Sequence, residues 1–333
     1  MLKNVDVSII IVNWNGKHWL KDCLSSIYLQ DYKNFEVILV DNGSTDGSVE
    51  YVKENFPETI TIKLNRNYGF AKANNIGIRC ARGEYLILIS NDTKVCEGWL
   101  RELISYAKDK KYENFQLLVS IQLPSQHPDK IRDISLFGDI KIYEVKTSKP
   151  IIRSLFASGA CFLIKRNWLN KLNYLFDESY GLLSFGEDLD LSLRTFFMGG
   201  DIGYVKSSKV YHYGGGSWKN LGIQKIKFKA LKNSMRNVTI SFFKALTLKS
   251  FIKIYILKII YILARFLAKP TDVSKNLSML IGLAEATIKL PLYRKIRKSF
   301  KKIKIRSDLD FFLQFKFNPC RRIERVIWKF LQA

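Results

Sequence analysis

The sequence is poor in the residues that build metal clusters and disulfide frameworks, with five cysteines and three histidines in 333 residues. The cysteines are scattered and form no C-x-x-C pair, so neither a zinc ribbon nor a disulfide scaffold is indicated. The chain shows no secretory signal, and we therefore expect reduced thiols and a cytoplasmic location. No uncharged apolar run reaches the roughly 18 residues of a membrane-spanning helix.

Acidic residues are scarce in one part of the chain. Residues 219–333 contain 27 basic and 5 acidic residues, whereas residues 1–218 contain 27 basic and 25 acidic residues. The excess positive charge therefore belongs to the C-terminal third, and the two parts need separate explanations. We predict a folded domain of residues 1–218, followed by a basic, amphipathic, helical region of residues 219–333 that associates with membranes.

The first hundred residues alternate between short apolar segments and amphipathic segments. The apolar segments have the length and composition of buried strands, at Val7–Asn13, Phe35–Asp41, Ile60–Leu64 and Tyr85–Ser90. Helical patterns separate them, which predicts an α/β fold with a mainly parallel sheet and helices on both faces. Further along, Ala157–Ile164 has a strand pattern and Glu187–Met198 a helical one.

Polar residues follow three of these predicted strands. They are Asn13-Trp14-Asn15, Asp41-Asn42-Gly43 and Asn91-Asp92-Thr93. Since parallel strands bind ligands at their carboxyl ends, this edge of the sheet is the candidate site. Asp41 can accept a hydrogen bond from a nucleobase or ribose, although the segment also fits an ordinary turn before a helix. Asp92 can bind Mg²⁺ or Mn²⁺ beside substrate phosphates, although a loop aspartate is more often a cap or turn residue.

Two later segments carry titratable residues. Glu187, Asp188 and Asp190 open a predicted helix that also contains Arg194. They have two open explanations: contact with the helix N-terminus plus an Asp190–Arg194 pair, or a general base held at a cleft. His212 lies between a predicted strand and a glycine-rich loop. A lone histidine is usually structural, but neutral imidazole is also a common metal ligand.

Taken in order, eight segments resemble the inverting glycosyltransferases of family 2, which have the GT-A fold. The match runs from Val5 to about Ser217, and its specificity comes from the order and spacing of the segments. They are V-S-I-I-I-V-N-W-N-G (Val7–Gly16), V-D-N-G-S-T-D-G-S (Val40–Ser48), N-Y-G-F-A-K-A-N-N-I-G (Asn67–Gly77), I-S-N-D-T (Ile89–Thr93), S-G-A-C-F-L-I-K-R (Ser158–Arg166), F-D-E (Phe176–Glu178), E-D-L-D-L-S-L-R (Glu187–Arg194) and V-Y-H-Y-G-G-G-S (Val210–Ser217).

The resemblance implies a nucleotide-sugar site. Asp41 would hold the nucleotide base, and the turn formed by Asn13, Trp14 and Asn15 would assist it. The segment Asn67–Asn75 would line the cleft that takes the donor. Its implied binding residues are Asn67, Gly69, Asn74 and Asn75.

The resemblance also implies a metal site and a catalytic base. Asp92, with its neighbour Asn91, falls at the D-x-D metal position of the family, but only one carboxylate is present there. His212 matches a position that completes the metal site in some relatives. Asp188 matches the catalytic base, and Glu187 beside it is the less favoured candidate.

The C-terminal third resembles, more loosely, the extension of rhamnosyltransferase-like members, with an R-N-x-x-x-x-x-x-K stretch at Arg236–Lys244. Lysines interleaved with apolar residues suit an anionic membrane surface. The alternative is a helical subdomain with a solvated basic face. We expect no nucleic-acid partner, because the region lacks a recognisable nucleic-acid motif and is too apolar.

These observations predict an inverting glycosyltransferase that uses Mg²⁺ or Mn²⁺. It would move a sugar, with rhamnose the first candidate, from a nucleotide diphosphate to a hydroxyl of a glycan or lipid-linked acceptor. The product would be a cell-surface polysaccharide, made at the inner face of the cell membrane. The alternative is a non-catalytic nucleotide-sugar-binding protein on the same fold. The missing second carboxylate slightly favours it, and the intact Glu187-Asp188 pair argues against it.

Overall fold

The structure is a computed structural model that describes residues 5–123, 130–134, 140–181, 186–214 and 223–316. The domain boundary that we predict at residue 218 lies outside the described residues, as do residues 215–217 of the last matched segment and Cys320. All other candidate site residues lie inside them.

Strands and helices alternate through the first half, and helices follow alone at the end. The strands are β1 (Val7–Asn13), β2 (Phe35–Asp41), β3 (Ile60–Lys63), β4 (Tyr85–Ser90), β5 (Thr93–Val95), β6 (Phe115–Leu123), β7 (Lys130–Ile134), β8 (Ile140–Glu144), β9 (Ile151–Ser154), β10 (Cys161–Lys165) and β11 (Asp201–His212). The α-helices are α1 (Lys17–Tyr28), α2 (Ser48–Asn55), α3 (Phe70–Cys80), α4 (Trp99–Lys108), α5 (Arg166–Leu172), α6 (Glu187–Phe197), α7 (Ile223–Ala245), α8 (Leu248–Ala268), α9 (Val273–Lys289), α10 (Arg294–Ile303) and α11 (Asp308–Lys316).

The central sheet has the strand order β3-β2-β1-β4-β10-β6-β11-β5, and β9 pairs with β11. The first four strands run parallel, as do β6 and β11. β10 lies antiparallel between β4 and β6, with Cys161 opposite Ile89. This register brings the residues just before β10 beside the carboxyl end of β4. The prediction of a mainly parallel sheet is confirmed.

Helices cover both faces of this sheet, as the alternating pattern predicts. In β1, Ile9 and Ile11 pack in one buried cluster with Leu20 and Leu24 of α1. Ile10, on the opposite side of the same strand, belongs to a second cluster that contains Ala71 and Ala73 of α3. Successive residues of a strand point to opposite faces, so both faces of this strand are buried.

β10 begins four residues later than the apolar pattern predicts. The strand that we expected from Ala157 starts at Cys161 instead. The reason is that the backbone N–H groups of Ala157 and Gly159 donate to side chains of α6, Ser192 Oγ at 3.0 Å and Asp188 Oδ2 at 3.4 Å. The segment before β10 is therefore a loop that contacts α6.

A helical region follows the sheet, as predicted, but its core continues into that of the sheet domain. Phe242 of α7 and Phe311 of α11 belong to the same buried cluster as Phe197 of α6. The rings of Phe242 and Phe311 lie 6.1 Å apart, and those of Phe197 and Phe311 lie 5.4 Å apart. Among the described residues, no helix is long and apolar enough to cross a membrane.

Candidate active site

The ends of three neighbouring strands are joined by side-chain hydrogen bonds. Asn13 at the end of β1 donates from Nδ2 to Asp41 Oδ1 at the end of β2, over 3.2 Å. Asn91, directly after β4, donates from Nδ2 to Asn13 Oδ1 over 2.7 Å. All three residues are buried. The polar strand ends that the sequence predicts to meet therefore do so, at one edge of the sheet.

The turn after β1 is tightly packed against this network. A Cβ at Gly16 would lie 2.2 Å from Asn91 Nδ2 and 2.7 Å from Asn13 Oδ1, so a side chain there would collide with both amides. Asn15 has a left-handed φ of 50°. Its backbone N–H donates to Ser44 Oγ at 2.9 Å, and its Oδ1 accepts from the Thr45 N–H at 2.8 Å. The turn is thereby held against the loop that follows β2.

Asp41 at the end of β2 and Asp46 in the loop that follows have different surroundings. Asp41 is fully buried and also accepts from the Ser44 N–H at 3.0 Å. Asp46 accepts from the N–H groups of Lys17 and Ser48, at 2.9 and 3.1 Å, so it has the turn role that the simpler explanation assigned to this segment. The base-binding role of Asp41 stays a prediction.

The segment before α3 is joined to the same edge through Asn42. Its Nδ2 donates to Asn67 Oδ1 at 3.0 Å, and its Oδ1 accepts from the Tyr68 N–H at 2.8 Å. Asn67 Oδ1 also accepts from the Gly69 N–H at 2.8 Å. Asn67 and Gly69 therefore lie beside the strand ends, and their cleft-lining role stays a prediction.

Asn74 and Asn75 make hydrogen bonds within the fold. Asn74 donates to the Phe70 carbonyl one turn earlier in α3, at 2.9 Å. Asn75 donates to the Phe176 carbonyl at 2.9 Å and to Glu178 Oε1 at 3.0 Å. Its amide thus holds the F-D-E segment against α3, and the predicted contact of both residues with a donor is untested.

Asp92 and His212 meet although 120 positions separate them. β11 pairs with β5 so that His212 lies opposite Thr93, and His212 Nε2 is 3.3 Å from Asp92 Oδ1. The Tyr213 N–H donates to the Asp92 carbonyl at 3.1 Å. In the described ranges no group of three or more His, Cys, Asp or Glu side chains is arranged to hold a metal. The pair still fits an ion shared with a diphosphate, since Mg²⁺ commonly takes one carboxylate plus substrate phosphates and water.

Asp188 lies at the start of α6, where Gly186 has a φ of 106° and lets the chain turn into the helix. Its Oδ1 accepts from the Leu189 N–H at 2.9 Å, and its Oδ2 from the Gly159 N–H at 3.4 Å. The next residue, Ala160, accepts from the Ser90 N–H at 2.9 Å. Asp188 is therefore joined through two consecutive residues to the end of β4, next to Asn91.

The carboxyl groups of Glu187 and Asp188 are hard to ionise. Burial raises the pKa of Asp188 above its usual range, and the hydrogen bonds from Leu189 and Gly159 only partly offset this. The pKa of Glu187 is raised more, to about 8. Burial is the larger cause, and the negative charge of the neighbouring Asp188 is the second. Within the part of the chain that the structure describes, Glu187 Oε2 has no hydrogen-bond partner. A carboxylate whose pKa is raised toward neutrality is suited to proton transfer.

A buried ion network supports α6 from the side of the C-terminal region. Asp190 pairs with Arg194 at 2.9 Å, as the sequence spacing predicts. It also pairs with Lys244 Nζ of α7 at 2.6 Å, and Lys244 reaches Asp177 Oδ2 at 2.9 Å. Arg236, at the start of the R-N-x-x-x-x-x-x-K stretch, donates to the Tyr180 carbonyl at 3.0 Å. The stretch that the sequence singled out therefore connects α7 to the helix that carries Asp188.

Three residues at this edge have no individual role assigned from the sequence. Ser44 and Asn42 organise the loop after β2, and the backbone of Gly159 contacts Asp188. All three lie inside segments that resemble the family, and this was the feature of the sequence that could have marked them as site residues. The link from Lys244 to Asp177 and Asp190 has no local signal, because it joins positions more than 50 residues apart.

Residues 8–172 match the family model described as Glycosyl transferase family 2. The chain is 25% identical over 219 residues to "Glycosyltransferase GlyA" of Streptococcus pneumoniae, a match covering 64% of this chain and 31% of that protein. It is 27% identical over 215 residues to "Minor teichoic acid biosynthesis protein GgaB" of Bacillus subtilis, covering 63% and 23%. The chain spans about a third or less of the length of these curated relatives.

Two solved structures share the fold. Staphylococcus aureus TarS 1–349 in complex with UDP-GlcNAc has a TM-score of 0.55 at 15% identity, covering 90% of this chain and 93% of that one. The mannosyltransferase PcManGT from Pyrobaculum calidifontis, with GDP-Man and Mn²⁺, has a TM-score of 0.52 at 16% identity, covering 86% and 87%. The expected GT-A fold is confirmed by these two neighbours, and the match of residues 8–172 to the family model supports a glycosyl transferase family 2 domain in that range.

Proposed function

We propose that this chain is an inverting glycosyltransferase that acts on a nucleotide-diphosphate sugar. The single observation that carries the proposal is the continuous set of contacts from Asp41 through Asn13 and Asn91, and from Ser90 through Ala160 and Gly159 to Asp188. A base-binding carboxylate, a metal-binding carboxylate and a proton acceptor would thus share one edge of the sheet.

The reaction is a single displacement at the anomeric carbon of the donor. The acceptor oxygen forms a bond to that carbon as the bond to the diphosphate breaks, and Asp188 takes the hydroxyl proton. General base catalysis of this kind contributes roughly 10²–10⁴-fold. Because the acceptor attacks opposite the leaving group, the configuration inverts. The raised pKa of Asp188 suits a base that must accept a proton near neutral pH.

For the donor, we propose that Asp41 binds the base and that Asn13, Trp14 and Asn15 hold the nucleoside. The names of the two structural neighbours point to UDP- and GDP-linked sugars for those proteins. For this chain, dTDP-rhamnose stays the first candidate, from the resemblance of its C-terminal region. The teichoic acid role in the name of one relative supports a cell-surface glycan as the product.

A panel of nucleotide sugars tests the donor proposal. A ligand that binds only the native state stabilises it by about 2.7 kcal/mol at a hundredfold excess over its Kd. We expect one UDP-, GDP- or dTDP-sugar to raise the unfolding temperature more than its free nucleotide or free sugar does. The same donor should be consumed when a hydroxyl acceptor is present. Stabilisation without any turnover would favour the non-catalytic binding protein, and no stabilisation by any donor would contradict both.

For the cofactor, we propose that Asp92 and His212 hold Mg²⁺ or Mn²⁺ together with the donor diphosphate. When bound, the ion would neutralise the charge of the leaving diphosphate. The 3.3 Å approach of His212 Nε2 to Asp92 Oδ1 supports a shared ligand position for the two side chains.

Chelation tests the metal proposal. We expect EDTA to suppress transfer and added Mg²⁺ or Mn²⁺ to restore it. Thermal stabilisation by the free nucleoside diphosphate should also increase when Mn²⁺ is added, and Asp92→Asn should lose that increase. Full activity after rigorous chelation would rule out the metal role of Asp92.

We also propose a peripheral location on the cytoplasmic face of the cell membrane, where a lipid-linked acceptor would be available. The support is the charge of residues 219–333, with 27 basic and 5 acidic residues. Each basic residue near an anionic surface contributes on the order of 1 kcal/mol.

A further inference from the structure

α8 has an unusual distribution of polar and apolar residues. Lys258 is buried, with 1% of its surface exposed, and its Nζ donates to Thr239 Oγ1 of α7 at 3.2 Å. The outward side of the helix is instead apolar, with side chains 37% to 86% exposed. These are Leu248, Ile252, Ile256, Ile259, Ile260, Leu263 and Leu267. A helix surrounded by water normally has the opposite arrangement.

The outward residues of α8 form one continuous stripe. At 3.6 residues per turn they fall within about 120° of the helix circumference and extend over about 30 Å. Single exposed leucines are common on protein surfaces and need no explanation, but a continuous apolar stripe of this length marks an interaction surface.

α9 extends the stripe into a wider surface. α8 and α9 both pack on α7, since Ile262, Met279 and Leu283 share a buried cluster with Met235. Hydrogen bonds of Tyr255 with Thr287, and of Arg265 with Asn276, join the two helices side by side. Their sides away from α7 therefore form one surface, to which α9 contributes Val273, Leu277, Leu280 and Ile288, all exposed. We call the outward stripes of both helices the α8–α9 face.

The region around the α8–α9 face is strongly basic, which favours an anionic partner. Between residues 248 and 303 the chain has 13 basic and two acidic residues. Both acidic residues form ion pairs, Asp272 with Arg265 at 3.3 Å and Glu285 with Lys232 at 2.6 Å. Exposed lysines lie at both ends of the stripe, at positions 249, 269 and 275. A second copy of this chain would bring two strongly basic surfaces together, whereas an anionic lipid surface complements both the apolar stripe and the charge.

We propose that the α8–α9 face docks on an anionic bilayer, with its apolar stripe in the headgroup and acyl boundary and its lysines at the lipid phosphates. A helix of this kind lies in the plane of the interface and does not need to span it. The inference rests on the membrane location proposed above and names the surface responsible. The buried Lys258 is consistent with it, because this lysine makes its polar contact inward, against α7, while the stripe beyond Lys249 presents apolar side chains outward.

Vesicle flotation with matched variants tests this inference. Ile256→Glu combined with Leu263→Glu places two charges in the stripe, at positions that are already exposed, so the fold should tolerate them. The matched control is Leu29→Glu at the end of α1, where the side chain is 81% exposed and remote in sequence from the face. Loss of a buried Leu or Ile side chain from the interface corresponds to about a tenfold or larger loss of partitioning per residue.

The wild type and Leu29→Glu should float with vesicles containing phosphatidylglycerol and not with phosphatidylcholine alone. The double variant should partition about a hundredfold more weakly, the product of two tenfold losses. If the wild type floats and the double variant floats equally, the α8–α9 face is not the docking surface, although the membrane location stands.

If the wild type binds no vesicle, the location and the inference both fail. If the wild type is a dimer that the double variant breaks, and it binds no vesicle, a second copy covers the face. Donor binding in vesicle-free buffer reports separately on the glycosyltransferase proposal.

Discussion

Asp188→Asn should abolish sugar transfer and leave donor binding unchanged. The amide oxygen can still accept from the Leu189 N–H at 2.9 Å, which holds the start of α6, whereas the amide NH2 replaces the oxygen that accepts the longer 3.4 Å bond from Gly159. The variant loses the ability to take the acceptor proton, and we expect a decrease in kcat of roughly 10²–10⁴-fold. Transfer assays with saturating donor, together with thermal stabilisation by the same donor, measure the two effects separately.

The stability of the same variant gives an independent readout. Because burial raises the pKa of Asp188 in the folded state, the unfolded state binds fewer protons between the unfolded and folded pKa values. The wild type therefore loses stability as the pH rises through that window, and Asp188→Asn should lose less, because only the raised pKa of Glu187 still contributes there. At neutral pH the variant should be at least as stable as the wild type while it is inactive.

Two results would contradict this assignment. Near-normal turnover of Asp188→Asn would exclude Asp188 as the base. Loss of transfer in Glu187→Gln, with transfer retained in Asp188→Asn, would transfer the role to Glu187. For an active Asp188, the rate should fall on acidification at a higher pH than an unperturbed aspartate would give, because only the deprotonated carboxylate accepts the proton.

Lys244→Met should destabilise the protein by about 3–5 kcal/mol, the usual effect of removing one partner from a buried ion pair. The lysine is buried and pairs with both Asp190 and Asp177, so methionine leaves Arg194 as the one cation paired with Asp190 among the described residues. Denaturant unfolding, followed by circular dichroism, measures the change. Lys53→Met, at an exposed lysine of α2, is the matched control and should stay within about 0.5 kcal/mol of the wild type.

The pH dependence of stability checks the same network. Burial alone would raise the pKa of Asp190, but the charges of Lys244 and Arg194 outweigh it and lower the pKa below its usual value. A depressed carboxylate pKa contributes stability above the unfolded pKa and loses it as the pH falls through the folded value. The wild type should therefore lose this contribution on acidification, whereas Lys244→Met should show less of the loss. Equal stability of the two proteins at neutral pH would show that the network does not hold α7 to α6.

The strand ends are the part of the site that sequence patterns predict well. Short apolar runs followed by Asn13, Asp41 and Asn91 indicate parallel strands with polar carboxyl ends, and the sheet topology then requires those ends to meet. The Asp190–Arg194 pair is equally readable, because residues four apart on a helix are neighbours. In both cases a pattern within one short segment, the strand alternation or the helical spacing, is enough to predict the contact.

The strand expected at Ala157–Ile164 shows where local patterns fail. Its first residues are apolar and small, as in a buried strand, but their N–H groups donate to Ser192 and Asp188 on α6. The competing hydrogen-bond partners lie about 30 residues away, so no local pattern reveals them. The contacts of Asn75 with Phe176 and Glu178 likewise join positions about 100 residues apart and have no local signal, while its predicted contact with a donor stays a prediction.

By itself, the sequence determined the α/β class, the polar edge of the sheet, the family resemblance and the basic character of the C-terminal third. These follow from periodicity, composition and segment order, which are properties of nearby residues. Three further features required the folded structure: the contact of Asp92 with His212, the contact of Asp188 with the loop before β10, and the core and ion network that α7 shares with α6. Such contacts join residues 29 to 120 positions apart. They depend on strand order and helix packing, because those alone determine which distant segments become neighbours.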